Sequence, residues 1–299
     1  MNPHPPALKQ LLAATDLSPP ARHAADRAAR LAHEQGAALT LLHVLPQGPL
    51  DDLRQWLGAP LAQQLRDGAE RELAALGAEL QHARHARVQV RVETGTVLDA
   101  LDRTAAETDA GLIVLGARGA GFLRRLVLGT TAERLLRRTT RPLLVVRQAA
   151  HERYRRALLA LDFSPWSEQV LAQAHRVAPQ AHWVLFNAFQ VPFEEKLRFA
   201  GVDDATVARY RHQARAQAMS RLQALADAAG LQHGRWEPCV VEGDASLRLV
   251  EQEQVLDCDL TVVGKHGQSV AEDLLLGSVT KHLLAEGGAD VLVATRPRG

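Results

Sequence analysis

The sequence predicts two α/β domains in tandem, each an open five-stranded parallel sheet flanked by helices. Two observations predict this architecture. The 299-residue chain contains the same motifs twice in the same order, and within each copy short apolar runs alternate with longer amphipathic stretches. Near-continuously apolar strands that alternate with helices are typical of parallel sheets covered on both faces. A length near 300 residues also suits two domains.

Two motifs define the repeat. A short apolar run ends in Asp-x-Ser-Pro, which begins at Asp16 in the first copy and at Asp162 in the second. A later apolar run ends in Gly-x2-Gly, which begins at Gly116 and at Gly264. The matching order and nearly equal spacing indicate a duplication. We place the boundary in the polar stretch at 149–154 and predict domains at 1–150 and 151–299.

The first copy predicts the element order βαβαβαβαβ. Ser18 marks a helix start because Ser caps helices and the Pro19 that follows loses no needed hydrogen bond; Gly36 ends that helix. One long helix is expected over roughly 50–82. The remaining predicted elements are strands at 10–15, 39–45, 88–92, 112–115 and 142–147 and helices at 96–107 and 130–138. The second copy predicts strands near 156–161, 182–188, 236–241, 259–263 and 290–295.

Ligands of such Rossmann-like sheets bind beyond the carboxyl ends of the strands, where the strand order reverses. There, both copies carry the spacing G-x2-G-x9-G-[S/T]. Glycines let backbone N–H groups approach a ligand closely. The last glycine and the hydroxyl residue open a helix, whose N-terminal N–H groups favour phosphate. The spacing therefore predicts two backbone patches that hold one polyphosphate chain.

A purely structural interpretation of the same residues stays open. Thr130 and Glu133 form a T-x-x-E capping box, and Gly116 with Gly119 can make a tight turn. Asp16 and Asp162 each precede a helix start, where a carboxylate caps the helix and suits its dipole.

Residues 116–147 resemble the C-terminal signature of the universal stress protein family, and residues 264–295 resemble it again. The Asp-x-Ser motifs and the LLHV run at 41–44 fit the same family, and the loop motif is that of its ATP-binding branch. The resemblance implies ATP with Mg²⁺ or another divalent cation as ligand. It also implies that the final strands of the two copies pair, which gives a pseudo-twofold, intramolecular pseudo-dimer; a further homodimer stays open.

The resemblance assigns the same roles in each copy. Residues around the aspartate contact the adenosine, the backbone at the end of the second strand reads the adenine edge, and the loop holds ribose and phosphates. In the first copy these positions are Ala14, Thr15, Asp16, Val44, Gly116, Arg118, Gly119, Gly129, Thr130 and Thr131. In the second copy they are Ala160, Leu161, Asp162, Ala188, Gly264, Gly267, Gly277, Ser278, Val279 and Thr280.

Composition argues against several other classes of protein. A formal net charge of +1 argues against nucleic-acid binding. No apolar run approaches the roughly 20 residues of a membrane span, and the N-terminus does not resemble a signal peptide. Cys239 and Cys258 form no CxxC pair, so neither a zinc site nor a disulfide framework is indicated. We expect a cytoplasmic protein without metal ligands of its own.

The motifs favour a binder over an enzyme. Walker A, the SGGxDS loop of ATP pyrophosphatases and the HIGH motif of synthetases are absent. A clamp of backbone amides binds a ground state without favouring a transition state. We therefore expect an ATP-binding regulatory stress-response protein with no catalytic residues and at most slow hydrolysis. The first copy is expected to bind more strongly, because residues 117–128 carry three positive charges whereas 265–276 carry one positive and two negative. Two alternatives stay open: a nucleotide-free scaffold that acts through partners, and a true ATPase.

Overall fold

The computed structural model describes residues 6–117, 130–191, 199–265 and 276–295. The first repeat comprises β1 (Gln10–Ala14), α1 (Pro19–Gln35), β2 (Ala38–Pro46), α2 (Gln47–Leu57), α3 (Ala59–Arg84), β3 (Arg87–Gly95), α4 (Val97–Glu107), β4 (Leu112–Gly116), α5 (Thr130–Arg138) and β5 (Leu143–Val146). The second comprises β6 (Arg156–Ala160), α6 (Trp166–Val177), β7 (His182–Phe189), α7 (Asp204–Ala228), β8 (Trp236–Glu242), α8 (Ala245–Val255), β9 (Leu260–Gly264), α9 (Ser278–Glu286) and β10 (Asp290–Ala294).

Contacts divide the described chain into two compact units, Pro6–Arg153 with residues 289–295, and Tyr154–Gly288. In the first unit the strand order is β3-β2-β1-β4-β5-β10, and the five strands of the first repeat are parallel. In the second unit the order is β9-β6-β7-β8, again parallel. The predicted α/β class and parallel sheets are confirmed.

The last strand of the second repeat lies in the first unit. There β10 runs antiparallel to β5, with Val291 opposite Val145 and Val293 opposite Leu143. This confirms the predicted pairing of the two final strands. It also covers the edge of β5, whose four residues are all buried and would otherwise be open to unwanted pairing.

A buried ion pair lies where β10 begins. The Asp290 side chain is fully buried, and its Oδ2 lies 3.4 Å from Nε of Arg27 on α1. Its Oδ1 accepts hydrogen bonds from the backbone N–H groups of Arg147 (2.8 Å) and Gln148 (3.2 Å). Arg27 in turn donates from Nη1 to the carbonyl of Glu152 at 2.8 Å. One carboxylate therefore joins β10, α1 and the segment that follows β5.

The single long helix predicted over 50–82 is wrong, because the structure has two helices there, α2 and α3. Gly58 separates them with φ +88° and ψ 159°, a conformation that is essentially restricted to glycine. Pro60 follows in the first turn of α3, where proline is tolerated. The Gly-x-Pro sequence thus ends one helix and starts another.

The core follows from the predicted apolar pattern. The central residues of β1 and the residues Leu112–Leu115 of β4 are all buried, as parallel strands between two helical layers require. The α1 helix packs with small side chains, among them Ala24 and Ala28, which are fully buried. Gly36 ends this helix as predicted, with φ +65°. Within the part of the chain that the structure describes, every helix is too short or too polar to cross a bilayer.

Candidate functional site

Both sheets bring their predicted ligand-binding residues to one edge. In the first unit Ala13 lies beside Leu41 on one side and Val114 on the other, so the ends of β1, β2 and β4 coincide. In the second unit Leu159 lies between Leu185 and Val262 in the same way. In the first unit β2, the next strand in sequence, lies on one side of β1 and β4 lies on the other. In the second unit β7 and β9 flank β6 in the same way. These edges are therefore the switch points at which such sheets bind ligands.

The turn after β1 is built around Asp16. Thr15 donates its backbone N–H to Leu42 O at 2.9 Å, and its Oγ1 accepts the N–H of Leu17 at 3.0 Å. The Asp16 Oδ1 accepts the backbone N–H of Ser18 at 3.1 Å and also its hydroxyl. Leu17 is held at φ +65°, which is unusual for a side chain of this size. The turn is thus fixed by side chains, and the Asp16 carboxylate is exposed.

The predicted side-chain cap at Ser18 is wrong. Ser18 does occupy the N-cap position of α1, but its side chain makes no cap hydrogen bond. The hydroxyl instead donates to the carboxylate of Asp16. The second helical residue, Pro20, has no N–H for the serine oxygen to accept.

The second repeat reproduces this turn. Leu161 donates its N–H to Phe186 O at 2.9 Å. The Asp162 Oδ1 accepts the N–H and hydroxyl of Ser164 at 2.9 and 2.6 Å. The residue after the aspartate, Phe163, again has positive φ, +62°. Each aspartate thus fixes the turn that precedes the helix, and each lies at the switch point.

Sequence reasoning missed one polar side chain in each repeat. The ring nitrogen Nδ1 of His43 lies 2.9 Å from the carbonyl oxygen of Thr15. The side-chain nitrogen of the buried Asn187 donates to the carbonyl of Leu161 at 2.7 Å. Each residue directly precedes the position expected to read adenine, and each fixes the carbonyl just before the aspartate. The sequence signal that could have found them is a polar residue at the same place near the end of the second strand in both repeats.

After the fourth strand, the structure describes only the two ends of the predicted loop. Four predicted site residues lie outside the described residues: Arg118, Gly119, Gly129 and Gly267. In the second repeat the loop ends meet, since Gly277 donates its N–H to Lys265 O at 3.2 Å. The Thr280 hydroxyl, which is buried, donates to Gly264 O at 2.9 Å. The two glycine-containing ends of the motif are therefore neighbours at the sheet edge.

The helices that follow the loops begin where the motif predicts. Helix α5 begins at Thr130 and α9 at Ser278, with Gly277 at the N-cap and no side-chain cap. Glu133 forms an ion pair with Arg137 at 2.8 Å. First-turn N–H groups of a helix have no partner inside the helix, which is the property that a phosphate exploits.

A cation also lies beside the turn of the second repeat. The guanidinium carbon of Arg221 on α7 lies 4.0 Å from the ring centroid of Phe163, a cation–π geometry. The guanidinium of Arg221 adds positive charge beside this turn, and it lies outside residues 265–276, whose charges predict the weaker site.

The two cysteines are free thiols. Burial raises the pKa of Cys258 to about 12, and burial also raises the pKa of the half-buried Cys239, with a smaller contribution from Glu237. Among the described residues there is no group of three or more His, Cys, Asp or Glu side chains that could hold a metal ion. The described site therefore offers backbone amides, carboxylates and hydroxyls rather than a metal cage or a reactive thiol.

Comparisons with known proteins agree with this arrangement. The model of the universal stress protein family matches residues 7–147 and again 153–295. A universal stress protein of Mycolicibacterium smegmatis is 28% identical over 314 residues, which covers 96% of this chain and 97% of that protein. Universal stress protein G of Salmonella typhimurium is 30% identical over 123 residues, 40% of this chain and 85% of that protein.

A solved structure supports the fold. A universal stress protein from Archaeoglobus fulgidus has a TM-score of 0.71 at 16% identity, and the match covers 96% of this chain and 98% of that one. Two family matches in tandem and this shared architecture lead to one conclusion: the chain belongs to the universal stress protein family and consists of two universal stress protein domains.

Proposed function

We propose that the protein binds ATP with a divalent cation and acts as a nucleotide-dependent regulatory component of a stress response. One observation carries the proposal. In each repeat the aspartate turn, the end of the second strand and the start of the glycine loop occur together at the switch point of a parallel sheet. Family membership adds support, because the G-x2-G-x9-G-[S/T] motif is present in both copies.

The described residues fit such a ligand. Backbone at Val44 and Ala188 is available to read the adenine edge, and the aspartate turns are held rigid by their own hydrogen bonds. The ends of the second loop are neighbours, which suits two backbone patches that bind one polyphosphate. The divalent cation would neutralise part of the triphosphate charge when bound. The free thiols support a reducing compartment, for which we propose the cytoplasm.

We further propose that the first repeat is the stronger site. Exposed charges contribute at most about 1 kcal/mol each. Two or three such contributions therefore correspond to roughly a ten- to hundred-fold difference in affinity. Arg221, beside the turn of the second repeat, reduces this difference.

The test is a calorimetric titration of the full chain with Mg·ATP. We expect one dominant site that is lost in Gly129→Glu and retained in Gly277→Glu, since a glutamate at either glycine would repel the phosphates. Two sites of equal affinity would contradict the asymmetry and leave the ATP proposal standing. No heat of binding to folded, nucleotide-free protein would instead favour a scaffold.

A scaffold is supported by the pairing of β10 with β5, which joins the last strand of the second repeat to the sheet of the first. A thermal-shift measurement separates the two functions, since a scaffold would show no increase in melting temperature with ATP. An ATPase is tested by phosphate release; turnover above about 1 s⁻¹, the low end of ordinary enzymes, would contradict a binder.

A further inference from the structure

A cleft lies at β8, the strand at the edge of the second unit's sheet. It has a volume of about 580 Å³, which is within the range of small-molecule sites. Its floor is the carboxyl half of β8, the outer strand of that unit's described sheet. Its walls are one face of α7 and one face of α8. The site predicted for the second repeat lies instead at the ends of β6, β7 and β9.

Positive charge dominates the lining of this cleft. Arg211, Arg215 and Arg248 line it together with Glu242 and Glu251, which leaves one positive charge in excess. Arg211 is paired with Glu242 at 2.9 Å, and Arg248 with Glu251 at 2.6 Å. Arg215 is exposed, and the structure gives it no hydrogen bond or ion pair to any described residue. Its guanidinium is therefore available to an anionic ligand.

The position of Arg248 is built into the turn between β8 and α8. Its Nε donates to the carbonyl of Glu242 at 3.0 Å. Gly243 has φ +133°, and a Cβ there would lie 2.8 Å from the Arg248 Nε, so the guanidinium passes directly over the glycine. Asp244 caps α8 through the N–H groups that follow it. One wall of the cleft thus carries a guanidinium held in place before any ligand arrives.

The first repeat lacks this arrangement. Gly95, with φ +137°, occupies the turn that corresponds to Gly243. Counting from these two glycines, Ala100 stands where the second repeat has Arg248, and Ala100 is fully buried. The guanidinium of Arg248 is therefore a feature of the second repeat that the first repeat does not share.

We propose that this cleft is an anion site that takes a small phosphate-bearing ligand, next to the proposed nucleotide site of the second repeat but lined by other residues. Guanidinium groups match phosphate oxygens in a two-pronged geometry, and three arginines face the same space. An added acidic peptide strand suits the cleft less well, because Pro238 lies exposed on β8 and has no N–H to offer a neighbouring strand. Val241 on the cleft floor lies directly beside Ala188, so a ligand here adjoins the strand end expected to read adenine.

The experiment is a calorimetric titration of the full chain with inorganic pyrophosphate. We expect Arg215→Gln to weaken binding about fivefold and Arg215→Glu at least tenfold, from the loss and reversal of one exposed charge. Arg209→Gln and Arg209→Glu are the matched controls. Arg209 lies exposed on the same helix outside the cleft, and its variants should change binding less than twofold.

Three results would overturn the proposal. Pyrophosphate binding that is unchanged in Arg215→Glu and lost in Gly277→Glu would place the anion in the glycine loop. Equal affinity for citrate would make the site one for carboxylates. Tighter, Arg215-dependent binding of an octaglutamate peptide would make it a protein-docking groove. Binding of Mg·ATP by the first repeat should be the same in all Arg215 variants, so failure of this proposal is distinguishable from failure of the proposed function.

Discussion

Replacing Asp290 with alanine should destabilise the first unit even though the residue belongs to the second repeat. The change removes a fully buried carboxylate that contacts Arg27 and accepts two backbone N–H groups. Breaking a buried ion pair by removing one partner costs about 3–5 kcal/mol, because the other charge remains buried. Asp290→Asn keeps an oxygen for the two N–H groups, so it should cost about 1–2 kcal/mol less than alanine.

The assay is urea unfolding of the full chain, combined with hydrogen exchange. We expect the amides of Val291–Val293 and of Leu143–Val145 to lose protection together in Asp290→Ala, because these residues face one another across β10 and β5. A double-mutant cycle with Arg27→Met isolates the pair, and its coupling energy should exceed about 1 kcal/mol.

Two outcomes would refute this reasoning. A loss below about 1 kcal/mol in Asp290→Ala would mean that the carboxylate is not desolvated as the structure has it. Loss of protection in β10 without any change in β5 would mean that the two strands are not held as one element.

Three further predictions concern single positions. Cys258, whose pKa burial raises to about 12, should resist iodoacetamide at pH 8 in folded protein and react once urea unfolds it; rapid labelling of the folded protein would contradict its burial. Gly58→Ala should lower stability by about 1–3 kcal/mol because of the positive φ, whereas Gly68→Ala, inside α3 with open space around it, should raise it by up to about 1 kcal/mol; urea midpoints decide both. Asn187→Leu should cost about 1–3 kcal/mol, since it leaves the Leu161 carbonyl without its donor; an unchanged midpoint would count against that contact.

The parts of the fold that the sequence predicts well are those with a strong local pattern. Strands buried on both faces appear as apolar runs, so β1 and β4 were placed within a residue or two. Gly36 ends α1 because only a residue that tolerates the left-handed conformation closes a helix in this way. The switch point follows once the order of strands and helices is known.

The parts that were missed depend on contacts distant in sequence or on competition between neighbours. Ser18 has the residue type of a cap, yet its hydroxyl donates to Asp16, two residues earlier. His43 is one polar residue in a strand, and its role depends on a carbonyl 28 positions earlier. The pairing of Asp290 with Arg27 joins opposite ends of the chain, and no periodicity of either segment indicates it.

The pairing of β10 with β5 has a consequence for how the protein is made. During synthesis the first repeat leaves the ribosome long before β10. Until β10 is translated, the edge of β5 is uncovered, and the ion pair between Arg27 and Asp290 cannot form. Contacts of such large sequence separation form slowly, and an exposed, apolar strand edge invites association with other chains in the interval. We therefore expect the first unit to complete its fold only after the second domain has been translated.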